Sequence, residues 1–359
     1  GKSTIEVLRE ASEVDLVALY GPEHGIYGDE KANIPIEDKI DPRTGLPVYS
    51  LYGKYRKPTD EMLKNLDVMV VDLQDLGVRS YTYVSAMRYT MEACFENDVA
   101  VMVLDRPNPI GGLKVAGPPL EKKWMSYVGA YPVPYVHGLT IAELARMAKK
   151  EKGWLDIPEQ TRKQGRLIIV PMHGWKRSML WTDTGLQWIP TSPAIPDLSS
   201  AMGYAMTGLG AQLGGFSHGY GTRWSFRLLT HRKKDAQTVY RALKRKNIPG
   251  IRLKPIRYRN SDGQKKEGVY VMVENWNQLH PTEISFHMMQ LAAKWSDKNP
   301  FRTAKSSRQN LFNKHVGSTP WWKALVDKGS QVNVDRFIKK WQKQAKRFQQ
   351  YSSRYYLYE

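Results

Sequence analysis

Short hydrophobic runs recur along the first 200 residues, separated by segments of helical periodicity. Residues 14–20, 68–71, 99–104 and 167–170 are apolar for four to seven positions, which is typical of strands that are buried on both faces. Between two of these runs, Met87, Met91 and Cys94 lie about one helical turn apart. Strands that alternate with helices in this way predict a parallel sheet covered by helices.

Sequence signals for helix starts support this interpretation. Ser3 with Glu6 and Thr140 with Glu143 both have capping-box spacing, and a further helix is predicted to begin near Thr59. The first 200 residues are therefore predicted to form a Rossmann-like domain. No Gly-x-Gly-x-x-Gly pattern follows any of the predicted strands, so we expect no nucleotide cofactor.

A second, smaller domain is predicted after the Pro-, Thr- and Ser-rich segment 181–197, which has no regular periodicity. Beyond it, strands or turns are predicted at 208–216, 257–260 and 269–274, and helices at 236–244, 283–295 and 334–348. These elements describe an α+β unit. We therefore divide the chain into residues 1–200 and 201–359.

The charge of the protein is concentrated in that second part. Residues 201–359 contain 30 Lys and Arg against 9 Asp and Glu, a net charge of +21, whereas residues 1–200 have a net charge of −2. Such a surface favours anionic partners: nucleic acid, an anionic membrane or an acidic cell-wall polymer. No nucleic-acid-reading motif is present, so no nucleic acid is expected, and a merely solvated basic surface is the plain alternative.

The cysteine content and the hydropathy of the chain exclude only a few classes of protein. The single cysteine, Cys94, rules out an internal disulfide framework and a Cys-rich metal site. No run is long enough for a transmembrane helix, and no signal peptide is recognisable at the start. Because the sequence opens on Gly1 and Lys2 without a methionine, we expect a processed or trimmed form.

Three of the hydrophobic runs end in chemically capable residues, which predicts one shared site at the carboxyl edge of the sheet. The first is followed by Gly-Pro-Glu-His-Gly, which contains Glu23 and His24. Glu23 is our candidate general acid, and His24 is a candidate to orient it or to bind substrate. The alternative is an ordinary turn shaped by Pro22 and Gly25. The histidines lack metal-binding spacing, so we expect no catalytic metal.

The ends of the other two runs offer a second carboxylate. Asp72, Asp75 and Asp105 are the candidates, since two carboxylates on either side of a scissile bond are the usual equipment of a glycosidase. Asp105 has an alternative role in an ion-paired, proline-shaped turn. A substrate anion could be bound by Arg79, Arg106 or Arg223. The face of a sugar ring could pack on Tyr81, Tyr83 or Trp188.

At these residues the chain resembles the NamZ-type exo-β-N-acetylmuramidases of glycoside hydrolase family 171. The likeness covers nearly the whole chain and is carried by motifs in the same order. They are Gly-Pro-Glu-His-Gly (21–25), residues 44–53 with Arg56-Lys57-Pro58-Thr59, residues 72–83, Leu-Asp-Arg-Pro-Asn-Pro-Ile-Gly-Gly (104–112), His-Gly-Leu-Thr (137–140), Gly-Trp-Lys-Arg (174–177), Pro-Thr-Ser-Pro (190–193) and Arg-Tyr-Tyr-Leu-Tyr (354–358).

The resemblance implies a hydrolase that releases N-acetylmuramic acid from the non-reducing ends of peptidoglycan fragments, with Glu23 as catalytic acid. It implies an anionic glycan as partner, no cofactor, and a periplasmic or secreted location. The substrate's own acetamido group is an alternative to a second protein carboxylate. By motif, the implied site contains His24, Asp75 and Asp105 as further catalytic candidates, and Asp72, Arg79, Tyr81, Arg106, Asn108, His137 and Arg223 as substrate ligands.

Two departures from the family pattern keep a second hypothesis open. The family usually begins with a further strand and a Thr-Asn-x-Thr-Gly-like segment, and its Asn-x-Ser-x-Gly-Arg-Gly-Thr run contains Phe216 and Tyr220 here in place of Asn and Arg. The alternative is a non-catalytic peptidoglycan-binding or envelope-assembly subunit with protein partners.

Overall fold

The protein is a mixed α/β chain whose first half is built around parallel strands. A computed structural model describes residues 1–31, 34–260 and 262–359. In the first half, the helices are α1 (Thr4–Glu10), α2 (Asp60–Leu63), α3 (Tyr83–Glu96), α4 (Ile141–Lys150) and α5 (Glu159–Gln164). The strands are β1 (Leu19–Gly21), β2 (Lys39–Ile40), β3 (Pro47–Ser50), β4 (Val68–Val71), β5 (Ala100–Leu104), β6 (Ala116–Pro119), β7 (Pro134–Val136) and β8 (Leu167–Val170).

The predicted parallel sheet is confirmed. Strands β4, β5 and β8 pair in parallel in that order, and β1 pairs in parallel with β3 in a separate small sheet. Helices α3 and α4 pack on β5 through side chains such as Met87, Met91 and Leu144. Both predicted capping boxes are formed, at Ser3 and at Thr140.

One predicted strand in this half was wrong in its bounds, while the helix predicted to begin near Thr59 does begin there, with Thr59 as its N-cap. The predicted strand 14–20 is a strand only from Leu19, where pairing with Val48 of β3 begins; Val14 and Val17 before it are exposed. Strand β3 itself was not predicted. The helix near Thr59 ends at Leu63, shortly before Asn65 adopts a positive φ of 65°, a conformation that helices do not continue through.

The second half is an α+β unit, as predicted. Its helices are α6 (Leu198–Thr207), α7 (Ala236–Lys244), α8 (Glu283–Trp295), α9 (Ser306–Val316), α10 (Thr319–Lys328) and α11 (Val334–Ser352). Its antiparallel sheet has the order β11 (Ile251–Arg259), β12 (Lys265–Val273), β10 (Leu228–His231), β9 (Phe216–Ser217). The strand or turn predicted at 208–216 is mostly irregular, because α6 and its cap occupy its start.

The end of the chain returns to the first half. The backbone N–H of Leu357 donates to Glu143, the Tyr358 hydroxyl donates to Asp105 at 2.6 Å, and the carbonyl of Glu359 accepts from the N–H of Arg177. Tyr355 is also part of the hydrophobic core around β4 and β5. The two halves are therefore joined by more than the segment near residue 200. In the described ranges, no helix is long and apolar enough to span a membrane.

Candidate active site

Glu23 lies in the turn after β1 and is 93 % buried. The Thr82 hydroxyl donates to its Oε2 at 2.7 Å. Burial raises the pKa of the Tyr52 hydroxyl, and a hydrogen bond to the Glu23 carboxylate raises that pKa further. Tyr52 therefore stays protonated and available as a donor. Thr82 comes from the start of α3, so three separate chain segments fix the position of this carboxylate.

The turn around Glu23 has an unusual backbone. His24 adopts a positive φ of 74°, a conformation that side chains with a Cβ rarely take, and Gly25 follows with a φ of 72°. The His24 ring is buried, and its Nδ1 lies 2.8 Å from the carbonyl oxygen of Glu30. His24 thus joins the two ends of the loop 24–30, which fixes the direction in which Glu23 leaves the strand.

Asp75 and His137 form a second buried polar pair. The Gly77 N–H donates to Asp75 Oδ2 at 2.8 Å, and His137 Nε2 lies 3.4 Å from the same oxygen. His137 Nδ1 accepts from the N–H of Leu139, whereas His137 Nε2 is buried and has no hydrogen-bond partner among the described residues. The other oxygen, Asp75 Oδ1, is buried and has no hydrogen-bond partner, so one acceptor is available to a ligand.

Tyr204 of α6 lies close enough to both Glu23 and Asp75 for their charges to affect the pKa of its hydroxyl. Burial raises the pKa of its hydroxyl well above the ordinary value, and the negative charges of Glu23 and Asp75 add to the rise. The hydroxyl lies 2.9 Å from the Ser80 hydroxyl, and the ring packs edge-on against Phe226 at 4.8 Å. Both candidate carboxylates thus lie near one tyrosine at the junction of the two halves.

Asp72 and Arg106 bind each other. The Arg106 guanidinium donates through Nε and Nη2 to the two Asp72 oxygens at 2.6 and 2.7 Å, and Thr4 also donates to Asp72. Arg106 is the more exposed partner, with 43 % of its side chain accessible. A substrate anion would have to compete with Asp72 for this guanidinium.

The structure gives Asp105 a different role from the catalytic one predicted. Its oxygens accept from the N–H groups of Arg106 and Ala142 and from the hydroxyls of Thr140 and Tyr358. Burial raises the pKa of Asp105, which these donors oppose. The side chain caps α4 and joins it to the end of the chain, so none of this geometry presents it to a substrate.

Arg79, a predicted substrate ligand, is bound to main-chain atoms of the protein. Its side chain is 99 % buried, and its two terminal nitrogens donate to the carbonyls of Pro118, Val133, His315 and Val316. Two of these carbonyls belong to the second half of the chain. Arg79 thus links the two halves of the chain through hydrogen bonds.

Two other predicted substrate ligands support loops. The Asn108 amide donates to the carbonyl of Leu139 and accepts from Ile110. Tyr81 donates its buried hydroxyl to Thr191 at 2.7 Å, and Tyr83 donates to the carbonyl of the same residue. These contacts position the segment around residue 191 against the start of α3.

Arg223 is exposed, at the edge of an open groove of about 920 Å³ in the second half. Its guanidinium stacks 4.2 Å above the ring of Trp224. The groove is lined by the basic residues Arg257, Arg259, Lys265 and Lys266 of the β11–β12 hairpin. Arg223 is not among the contacts of Glu23, and its role as a ligand stays a prediction.

Sequence reasoning assigned no role to Tyr52, Thr82 and Tyr204, the residues that surround Glu23 and Asp75. Tyr52 lies within the motif at 44–53 and Thr82 within the motif at 72–83, so the family likeness contained the signal, but neither hydroxyl has a chemical signature by itself. Within 1–31, 34–260 and 262–359, no cluster of three or more His, Cys, Asp or Glu side chains is suited to hold a metal.

Comparison with known proteins covers the whole chain. The family model of the N-terminal part of the exo-β-N-acetylmuramidase NamZ matches residues 1–199, and that of its C-terminal part matches residues 202–358. The peptidoglycan β-N-acetylmuramidase NamZ of Bacillus subtilis is 34 % identical over 362 residues, 99 % of this chain and 83 % of that protein.

Two solved structures from Bacteroides fragilis share the fold. One DUF1343 family protein superposes with a TM-score of 0.87 at 41 % identity, and another with a TM-score of 0.74 at 25 % identity. Each comparison covers 100 % of this chain and 90 % of the other. The arrangement of elements described above is therefore shared along the full length.

Proposed function

Because the chain belongs to the exo-β-N-acetylmuramidase NamZ family, we propose that it hydrolyses the β-glycosidic bond of N-acetylmuramic acid at the non-reducing ends of peptidoglycan fragments. The observation that carries the proposal is Glu23, which is buried in the Gly-Pro-Glu-His-Gly turn and held by Thr82 and Tyr52. A carboxyl group fixed in this way can deliver a proton along one direction.

Glu23 is the general acid in this proposal. In its protonated form it donates to the glycosidic oxygen while the bond from that oxygen to C1 of the sugar breaks, so the leaving sugar departs as an alcohol. In the second step the Glu23 carboxylate removes a proton from the attacking water. The same group is thereby returned to its starting state.

Asp75 assists from the other side of the sugar in this proposal. Its unpartnered Oδ1 accepts the N–H of the substrate's 2-acetamido group, while the Gly77 N–H donates to its Oδ2 and His137 Nε2 lies 3.4 Å from that oxygen. The acetamido oxygen then attacks C1 and forms a cyclic oxazolinium intermediate, which water opens with overall retention of configuration. The buried Asp75–His137 pair supports this role better than Asp105, whose oxygens already accept four hydrogen bonds.

The experiment is release of free N-acetylmuramic acid from its 4-nitrophenyl β-glycoside and from fragments that begin with this sugar. Glu23→Gln is expected to lower kcat/KM by about 10²- to 10⁴-fold, because the amide cannot donate the proton. The first anomer released, followed by proton NMR, is expected to be β. No release by the wild-type chain between pH 5 and 9 would overturn the proposed activity, and full activity of Glu23→Gln would overturn the assignment of the acid.

We further propose that the protein works in the periplasm or outside the cell, where peptidoglycan is located. The basic second half, with its net charge of +21, suits an anionic glycan. Fractionation of cells that express the full-length gene tests the location. Recovery of the protein only with cytoplasmic markers would contradict it.

A further inference from the structure

Arg56 lies in a small cluster of aromatic side chains next to the candidate acid. It follows β3 in the segment before α2. Its guanidinium carbon is 3.5 Å from the centre of the Tyr52 ring and 4.5 Å from the centre of the Tyr127 ring. Stacking between two rings fixes the plane of a guanidinium while leaving its edge available for hydrogen bonds.

One N–H donor on the edge of the Arg56 guanidinium has no acceptor. By distance and angle, Arg56 Nη1 and the Tyr127 hydroxyl are both buried without a hydrogen-bond partner, although the Arg56 guanidinium is close enough to the Tyr52 and Tyr127 hydroxyls to oppose the rise in their pKa values. Among the residues that the structure describes, no carboxylate forms an ion pair with Arg56. A buried N–H without an acceptor is unfavourable, so a ligand that supplies an acceptor here would be stabilised.

Tyr52 contacts both Arg56 and Glu23. The Tyr52 hydroxyl bonds to the Glu23 carboxylate, and the Tyr52 ring stacks on the Arg56 guanidinium. Both Glu23 and Arg56 also affect the pKa of Tyr127, which burial raises; Arg56 opposes the rise and Glu23 adds to it. A sugar whose glycosidic oxygen is at Glu23 therefore has its neighbouring substituents within reach of this cluster.

Two of the three arginines considered for a substrate anion are already engaged, and the third, Arg223, is exposed at the groove in the second half. Arg79 donates to four carbonyls, and Arg106 binds Asp72 through two nitrogens. Throughout the part of the chain that the structure describes, no other arginine has a buried terminal nitrogen without a partner. Among the described residues, the terminal arginine nitrogen that is buried without a partner is therefore Arg56 Nη1, next to Glu23.

We propose that Arg56, with the Tyr127 hydroxyl, binds the lactyl carboxylate of N-acetylmuramic acid and so selects this sugar over N-acetylglucosamine, which lacks the lactyl group. The proposal rests on the proposed function, since it names the group of that substrate which Arg56 recognises. Arg56 is a specificity residue here: it contacts the substrate but moves no proton.

The test compares Arg56→Gln with the wild type on two chromogenic glycosides, N-acetylmuramic acid with a free lactyl carboxylate and its lactyl methyl ester. On the free acid, Arg56→Gln is expected to lower kcat/KM about 10- to 150-fold, mostly through KM, the factor of one charge-assisted hydrogen bond. On the ester it is expected to change kcat/KM by less than about threefold, because no anion remains to be bound. Arg56→Lys should give an intermediate loss on the free acid.

Arg354→Gln is a matched control, because Arg354 also stacks on a tyrosine ring, 3.9 Å from the centre of Tyr351, but at the far end of α11. It should leave both rates unchanged. An equal loss of Arg56→Gln on acid and ester, or no loss on either, would overturn the proposal.

A binding measurement keeps the two proposals distinguishable and covers a variant that folds poorly. By calorimetry, the wild-type protein is expected to bind free N-acetylmuramic acid at least tenfold more tightly than N-acetylglucosamine, whether or not it turns over a glycoside. Equal affinities would overturn the role of Arg56. Discrimination without any hydrolysis would instead overturn the proposed activity alone.

Discussion

His137 places its Nε2 3.4 Å from Asp75 Oδ2, in a pair that is almost completely buried. Nδ1 of the same ring accepts from the Leu139 N–H. His137 Nε2 and Asp75 Oδ1 are both buried without a hydrogen-bond partner, so the pair keeps two polar atoms for a ligand.

We predict that Asp75→Asn lowers kcat by about 10²-fold, because an amide has one acceptor oxygen, which cannot serve both the Gly77 N–H and the substrate N–H. His137→Gln should lower kcat about tenfold, since Asp75 keeps its Gly77 contact. Steady-state kinetics with thermal unfolding as a control measures both. A lower Tm with unchanged kcat would show that the pair is only structural.

Asp105→Asn should retain kcat within about threefold. The Asp105 oxygens are all used within the protein, so the substitution alters the cap of α4 and its tie to Tyr358 and not the reaction. It is also the matched control for Asp75→Asn, as both remove one buried negative charge. A 10²-fold loss of kcat in a variant of normal Tm would return Asp105 to the catalytic candidates.

Thr82→Val should lower kcat about tenfold with little change in KM. The methyl group keeps the shape of the side chain but removes the hydroxyl that holds Glu23 Oε2 at 2.7 Å, so Glu23 is less well positioned in the transition state. Thr82→Ser keeps the hydroxyl and should restore most of the rate. If Val and Ser variants behave alike, Thr82 does not position Glu23 through this bond.

Arg79→Leu should destabilise the protein by about 3–5 kcal/mol, because each buried carbonyl that loses its donor costs about 1–3 kcal/mol. Four carbonyls from both halves of the chain would lose their donor. Urea unfolding followed by tryptophan fluorescence measures the loss. A stable but inactive Arg79→Leu would instead indicate contact with substrate.

Acid should destabilise the protein through His315. Burial, with the nearby charge of Arg79, lowers the pKa of His315 to about 4, below its ordinary value of about 6.5. The unfolded chain therefore binds the proton first, so stability falls as pH decreases from about 6.5 towards 4.

His315→Gln removes this titration and should gain up to about 2 kcal/mol relative to the wild type at pH 5 compared with pH 7.5. Tm measured at both pH values tests the sign. A difference between variant and wild type that is independent of pH would contradict the assignment.

The sequence predicted the long, periodic elements well and the short ones poorly. Strands β4 and β8 and helices α7 and α8 have the predicted bounds, because each has a continuous apolar pattern. Strand β3 was missed because Pro47 opens it and only half of it is buried. Its pairing with β1 is a long-range contact that no local pattern encodes.

For the candidate site, sequence position predicted which segments would be near the sheet edge but not which side chains would face a ligand. Arg79 and Asp105 have the residue types of binding and catalysis. Yet Arg79 donates to main-chain carbonyls 39 to 237 residues away, and Asp105 accepts from two main-chain N–H groups and from the hydroxyls of Thr140 and Tyr358. Arg56 shows the converse. Its importance depends on the absence of a partner for Nη1, which only three-dimensional structure reveals.

The contacts of residues 357–359 with the first half have a consequence for expressing parts of the protein. The family models divide the chain near residue 200, but a fragment stopped there would lose the last turn and with it the Tyr358 contact to Asp105 and the Leu357 contact to Glu143. Expression of both halves together is the arrangement that preserves these contacts.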